Sequence, residues 1–186
     1  MKVDDLGVDL LSIAGHKLYA PKGVGALYIR DGVTVEKLMH GADHESGRRA
    51  GTENVVLVSG LGAACQLIED NLESYTAQMR EMRDRLEAGV MRVYPETAFN
   101  GHPDKRLPNT TSVSFKGLEA NAILAEIEGV AASAGAACHS DRIDVSPVLM
   151  AMGVPIEYAM GTVRLSVGRY TTADGIDSAV EQTGPW

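Results

Sequence analysis

Three residue types in this 186-residue sequence stand out for where they sit. Lys17 follows Gly15-His16 just beyond an apolar run, Val8 to Ile13. A lysine so placed is expected to be partly desolvated, which lowers its pKa toward the neutral amine. A neutral amine can form a Schiff base with an aldehyde cofactor. The competing reading is a snorkelling or ion-paired lysine. Cys138 follows Ala134-Gly135-Ala136-Ala137 and precedes His139, Ser140 and Asp141. Small neighbours would let its thiol swing toward a substrate, and the thiolate is the competent nucleophile. The competing reading is a small buried apolar residue. Cys65, among Ala64 and Leu67, reads as inert helix packing.

Arginines supply the third type. Arg164 lies within Val163-Arg164-Leu165-Ser166-Val167 and is expected to face an interior cleft with an anionic partner. A substrate carboxylate or a structural Asp or Glu would serve. Arg48, Arg49, Gly51 and Thr52 form a cluster that could hold phosphate or carboxylate through planar donors, close backbone approach and a hydroxyl. Metal chemistry is not expected. The five histidines form no His-x-x-x-His pair on a helix, Gly41 interrupts His40 and His44, and Cys138 has no second cysteine nearby. Gly23-Val24-Gly25 lacks the third glycine of a dinucleotide fingerprint, and Pro21-Lys22-Gly23 is no phosphate-binding P-loop.

Several elements must position these residues. Val8 to Ile13 and Val24 to Ile29 read as strands around a Gly/Pro-punctuated turn that carries Lys17. Residues 39–54 are too polar and glycine-rich for a core element, and a loop of that length suggests binding. A helix is expected from Glu53 to Asp70, with Gly60, Gly62, Ala63 and Ala64 against a close neighbour. In a second helix Leu72, Tyr75, Met79, Met82, Leu86 and Val90 form one buried stripe. Further on come a strand at Thr110 to Phe115, a short helix at Glu119 to Glu128 and a strand at Val130 to Ser133. The cysteine loop follows, then helix starts at Pro147 and Pro155. A strand at Val163 to Val167 and a capped helix after Thr172 complete the pattern. The alternation places the chain in the α/β or α+β class, with a boundary near residues 70–72.

Composition bounds the function. Apolar residues make up 45% and charged residues 23%, an ordinary globular balance. No run approaches the ~20 apolar residues of a membrane span, so no membrane partner is expected. A net charge of −8 argues against a nucleic-acid surface. Two cysteines make no disulfide framework, and no secretory signal opens the chain, which together favour the cytoplasm.

Taken together, these motifs are more specific than any one of them. Ser12 to Tyr28, with Ala14-Gly15-His16-Lys17, resembles the cofactor-lysine segment of the cysteine desulfurases, within the class V aminotransferase family of pyridoxal 5′-phosphate enzymes. Gly47-Arg48-Arg49-Ala50-Gly51-Thr52-Glu53-Asn54 resembles its phosphate-contact loop, and Leu107-Pro108-Asn109-Thr110 the first strand of its small domain. Ser133 to Ser140 resembles its catalytic-cysteine loop, and Arg164 to Thr172 its closing motif. The form Gly135 to Asp141 is also similar to selenocysteine lyases, as is Val3 to Asp9.

The resemblance implies a fold and a set of roles. The fold would be the C-terminal part of a fold type I, aspartate aminotransferase-like enzyme. Residues 1–70 would end the large cofactor-binding domain, and residues 71–186 would form the small α+β domain. Lys17 would hold the cofactor as a Schiff base and move protons. Gly15 and His16 would lie beside it, and Thr52 would reach the phosphate held by a partner subunit, implying a homodimer. Arg164 would clamp the substrate carboxylate. Cys138 would take sulfur from L-cysteine, or selenium from L-selenocysteine, leaving alanine, and a sulfur-acceptor or scaffold protein would follow. The likeness begins midway through the family pattern. The family's glycine-rich phosphate loop, its ring-stacking residue and the Asp facing the pyridine nitrogen have no counterpart here, and Ala14 stands where many members have Ser. The sequence therefore reads as part of a longer enzyme, or as a non-catalytic module that dimerises or binds a partner.

Overall fold

A computed structural model describes residues 2–135, 137–139 and 142–183, with the backbone alone for 137–139 and 142–144. The chain divides into two compact units, Met1–Leu72 and Glu73–Trp186.

In the first unit a four-residue turn of helix, α1 (Val3–Leu6), precedes a two-stranded antiparallel ribbon. Its strands are β1 (Leu10–Ala14) and β2 (Gly25–Ile29), in register from Leu10 opposite Ile29 to Ala14 opposite Gly25. The Arg30 guanidinium ties off the open end, donating to the Val8 carbonyl at 2.9 Å and meeting Asp9 at 3.2 Å. The apolar run in β1 looked like a buried strand in sequence, but Leu10 is 45% exposed and Leu27 on β2 is 54% exposed. A two-stranded ribbon has no third strand to extend it and gains a hydrophobic core only where another layer covers it. Residues 39–54 are irregular apart from a short turn, α2 (His44–Gly47), in which Glu45 and Ser46 adopt left-handed φ of 54° and 57°.

The two helices expected on either side of residue 71 are one helix, α3 (Val55–Val93). No Gly or Pro interrupts residues 63–88, and Asn71 stays within the helix by donating its Nδ2 to the Leu67 carbonyl at 2.9 Å. The small residues behave unevenly. A Cβ at Gly60 would lie 3.0 Å from the Pro21 ring, and Ala64 one turn later is buried, whereas Gly62 faces open space. Cys65 is exposed, not packed, because it points away from the Gly60–Ala64 stripe. Leu72, expected in the buried stripe, is half exposed, while Met82, Leu86 and Val90 are buried as expected. The first half of α3 is apolar on most faces, and only 6% of its most apolar 18-residue window is buried. By length and composition alone α3 could cross a bilayer, although Glu69 and Asp70 end its apolar run after Ile68, short of ~20 residues.

The second unit is built on an antiparallel sheet ordered β3-β4-β8-β5. The strands are β3 (Thr97–Phe99), β4 (Thr110–Phe115), β5 (Ser133–Ala134) and β8 (Thr162–Ser166). A separate hairpin, β6 (Ala137–His139) and β7 (Arg142–Asp144), follows β5. Alternation along β4 and β8 puts Val113, Phe115, Val163 and Leu165 on one face. That face packs on α3 and on the helices α4 (Ala120–Glu126) and α7 (Ala173–Gln182), through Leu86, Val90, Ile123, Ile176 and Val180. Phe115 is 1% exposed and meets the Tyr94 ring edge-on at 5.7 Å. Burying such a side chain contributes about 1.5–3 kcal/mol. Two short helices, α5 (Pro147–Ala151) and α6 (Ile156–Ala159), connect β7 to β8, with Pro147 opening α5. Thr172 caps α7, its Oγ1 accepting from the Gly175 N–H at 3.1 Å. The strand expected at 130–133 is shorter and displaced. Val130 and Ala131 leave the ladder to line an apolar cavity of about 340 Å³ with Leu165 and Ile176.

Candidate active site

Lys17 sits on a single 3-10 turn, Gly15–Leu18, directly after β1. The turn is closed at both ends. Gly15 donates to the Val24 carbonyl at 2.9 Å, and Ala20 donates to the Gly15 carbonyl at 3.1 Å. A side chain at Gly15 is excluded, because its Cβ would lie 2.6 Å from the Val24 oxygen. His16 and Lys17 both project to solvent. Among the described residues the desolvated lysine expected from sequence is therefore not found, since nothing described walls in the exposed amine.

In the loop that follows, Arg48, Arg49 and Thr52 are exposed. The Arg49 guanidinium lies over the backbone at Gly51, where a Cβ would come within 2.8 Å of its Nη1. Two of the loop's acids are engaged locally. Lys37 donates to Asp43 at 3.0 Å and holds its carboxyl below the usual range. Backbone N–H groups, first its own and then that of Glu45, lower Glu53 in the same way. The His44 Nδ1 is buried without a hydrogen-bond partner among the described residues.

Arg164 is exposed, in contrast to the interior cleft expected for it. β8 turns Val163 and Leu165 to the core, so Arg164 and Ser166 emerge on the opposite, open face. Its Nη2 donates to the Ser133 Oγ at 3.4 Å. Among the described residues no carboxylate lies within ion-pair range of it, so the structural Asp or Glu that sequence left open is not found there. The backbone of Cys138 pairs with Ile143 in the β6–β7 hairpin, where sequence had suggested a loop. The thiol, together with Ser140, Asp141 and residues 184–186, lies outside the described residues.

The root of that hairpin shows a lock that sequence did not reveal. Gly135 donates to the Thr162 carbonyl at 2.6 Å, and a Cβ there would lie 2.7 Å from the Thr162 Cγ2. Thr162 is itself buried and bonded to the Ser114 hydroxyl at 2.7 Å. The polar face of the sheet, with Thr110, Ser112, Ser114, Arg164 and Ser166, was also missed. Its signal was present as strict two-residue alternation along β4 and β8.

An antiparallel small-domain sheet backed by helices, preceded by a lysine-bearing ribbon, is the C-terminal part of a fold type I pyridoxal-phosphate transferase. A solved NifS-like protein superposes with a TM-score of 0.87 at 31% identity, over 98% of this chain and 47% of that one. The NifS-like protein from Rickettsia africae gives 0.86 at 28% identity, over 98% and 48%. The aminotransferase class-V pattern matches residues 1–178, and the chain belongs to that family of pyridoxal-phosphate enzymes. It is 44% identical over 180 residues to the cysteine desulfurase NifS of Azotobacter vinelandii, and 46% identical over 180 residues to cysteine desulfurase 2 of Trichormus variabilis. Each match covers 96% of this chain and 45% of the relative, so the chain spans just under half the length of these relatives.

The donor set of this chain fits such a cofactor. Lys17 could offer a primary amine to its aldehyde, from a turn closed by the hydrogen bonds of Gly15. Arg48, Arg49 and Thr52 are donors suited to its phosphate, and the orphaned His44 Nδ1 marks an unmet polar contact in the same loop.

Proposed function

We propose that this chain is the lysine- and cysteine-bearing part of a pyridoxal-phosphate-dependent cysteine desulfurase, which moves sulfur from L-cysteine onto Cys138 and releases L-alanine. The observation that carries the reading is identity of 44–46% over 96% of the chain to relatives named cysteine desulfurases, with Lys17 and Cys138 both within the aligned family pattern. Lys17 Nζ and His16 would hold the cofactor, with Gly15 keeping their turn tight. Thr52 would contribute its hydroxyl to the phosphate bound by a partner subunit, which makes the working enzyme a homodimer. Bound pyridoxal phosphate supplies an electron sink for the pair released at the substrate carbon. Lys17 Nζ carries the proton taken from and returned to the substrate. The Arg164 guanidinium takes the substrate carboxylate and fixes its direction. The Cys138 thiolate attacks the substrate Sγ. A sulfur–sulfur bond forms as the Cβ–Sγ bond breaks, the electron pair stays with the carbon, and that carbon takes a proton to leave as L-alanine. The persulfide on Cys138 then awaits an acceptor protein.

The test is an absorbance spectrum of the chain with added pyridoxal phosphate, beside Lys17→Ala. A cofactor band that needs Lys17 supports the reading, and a spectrum indifferent to Lys17 overturns the assignment of that residue. Turnover of L-cysteine against L-selenocysteine then separates the desulfurase from the lyase suggested by the Gly135–Asp141 form. Strong preference for selenocysteine with no persulfide on Cys138 would reverse the choice.

A further inference from the structure

Arg164 stands among hydroxyls. Ser112 on β4 and Ser133 on β5 are both its Cα partners, one on each side. Directly opposed residues of an antiparallel ladder share a face, so all three side chains emerge together. Thr110 and Ser166, opposite one another, extend the row, with their oxygens 3.4 Å apart. Ser133 accepts from the Arg164 guanidinium. Ser112 is held in place by Asn100, whose Nδ2 donates to Ser112 Oγ at 3.2 Å and to Ser114 Oγ at 2.8 Å. Three arginines of the same unit are treated differently. Arg83, Arg85 and Arg106 are each paired with a carboxylate, of Asp84, Asp177 and Glu87. Arg164 has hydroxyl neighbours at the very positions where an acid would neutralise it.

We propose that Ser112 and Ser133 are positioning residues for Arg164: they support the guanidinium with neutral oxygens and keep its charge available to a ligand carboxylate. A hydroxyl accepts a hydrogen bond without cancelling the cation, whereas a carboxylate at either position would occupy the fork that a ligand needs. The inference rests on the reading of Arg164 as the carboxylate clamp and adds what sets the clamp's strength.

The experiment follows the Arg164 Nε–H signal by ¹⁵N NMR in the full chain during titration with sodium acetate at constant ionic strength. The signal is assigned by its loss in Arg164→Lys. Ser133→Asp and Ser112→Asp are each expected to weaken acetate binding at Arg164 about fivefold, the upper end for an ion pair at an exposed site. Ser133→Asn, alike in shape and uncharged, is expected to leave binding close to native. In the catalytically competent protein the same aspartates should raise KM for L-cysteine and leave kcat and the Lys17-dependent band unchanged. Ser112 is tied to Asn100, so Ser133→Asp carries the test if Ser112→Asp does not fold. Aspartate variants that bind acetate like the native chain would overturn the inference while leaving the clamp intact. Ser133→Asn weakening binding as much as Ser133→Asp would also overturn it, because shape would then matter and charge would not. A native Arg164 signal indifferent to acetate, with KM unaffected by Arg164→Lys, would remove the clamp reading and this inference with it.

Discussion

Gly89 lies in the interior of α3, where alanine is normally preferred by about 1 kcal/mol. Propensity alone therefore predicts that Gly89→Ala stabilises the chain. The structure predicts the reverse. An added Cβ would stand 2.4 Å from Val180 Cγ2 and 3.0 Å from Cγ1, well inside the ~3.5–4.0 Å of ordinary carbon contacts. Val180 is 3% exposed and β-branched within α7, so its side chain has little freedom to turn aside. Overpacking of this kind costs about 1–3 kcal/mol, which after the propensity gain leaves a net loss of about 1 kcal/mol. The sign should invert once Val180 is truncated. In a Val180→Ala background only the Cβ remains, 3.3 Å from the added methyl, so most of the clash is relieved and Gly89→Ala should recover up to about 1 kcal/mol through propensity and partial filling of the cavity. Equilibrium urea unfolding of the four proteins of this cycle measures both effects. Gly89→Ala stabilising the native chain, or having the same effect in both backgrounds, would refute the close approach of α3 and α7 on which the sheet carrying Arg164 is packed.

Other expectations concern the core, the cysteine arm and pH. Phe115→Ala should cost about 3–5 kcal/mol in urea unfolding, since its ring is fully buried against Tyr94. A loss under 1 kcal/mol would mean the site is not a packed core. Gly135→Ala should lower persulfide formation on Cys138 while sparing the Lys17-dependent band, because the new methyl collides with buried Thr162 at the root of the hairpin. Unchanged persulfide yield would show that the lock does not position the arm. Arg85 donates to Asp177 at 2.7 Å and holds that carboxyl below its ordinary value. The depressed carboxyl contributes stability that is fully present above the unfolded pKa near 3.9 and is lost as pH falls through the lower folded value. Asp177→Asn should therefore remove part of the acid dependence of the unfolding midpoint, and an identical pH profile in the variant would count against the pair.

Much of the fold was legible because local rules governed it. The turn between β1 and β2, the Thr172 cap, the Pro147 helix start and the Met82–Leu86–Val90 stripe each follow from a few neighbouring residues. The continuity of α3 was less legible: Asp70 and Asn71 look like a helix end, yet the helix runs through them, with the Asn71 amide donating back to the Leu67 carbonyl. Burial was the weakest inference. Val8 to Ile13, Lys17, Cys65 and Leu72 read as interior on apolarity, but among the described residues a two-stranded ribbon and the outer face of a helix give them little to pack against. At the site, residue types and order were readable as family motifs. The neighbours that tune them, Ser112, Ser133 and the Gly135–Thr162 lock, were not, because they meet only through strand pairing across 27 to 52 residues of sequence.

In the proposed reaction Cys138 takes sulfur from L-cysteine under the control of Lys17. The most direct measurement is mass spectrometry of the alkylated protein after incubation with pyridoxal phosphate and L-cysteine, with L-alanine quantified in the same sample. One added sulfur is expected on the Cys138 peptide, with alanine in matching amount, and loss of both in Lys17→Ala. In Cys138→Ser the added sulfur should disappear. Alanine formed at the native rate in Cys138→Ser, or sulfur carried on Cys65 instead, would contradict it.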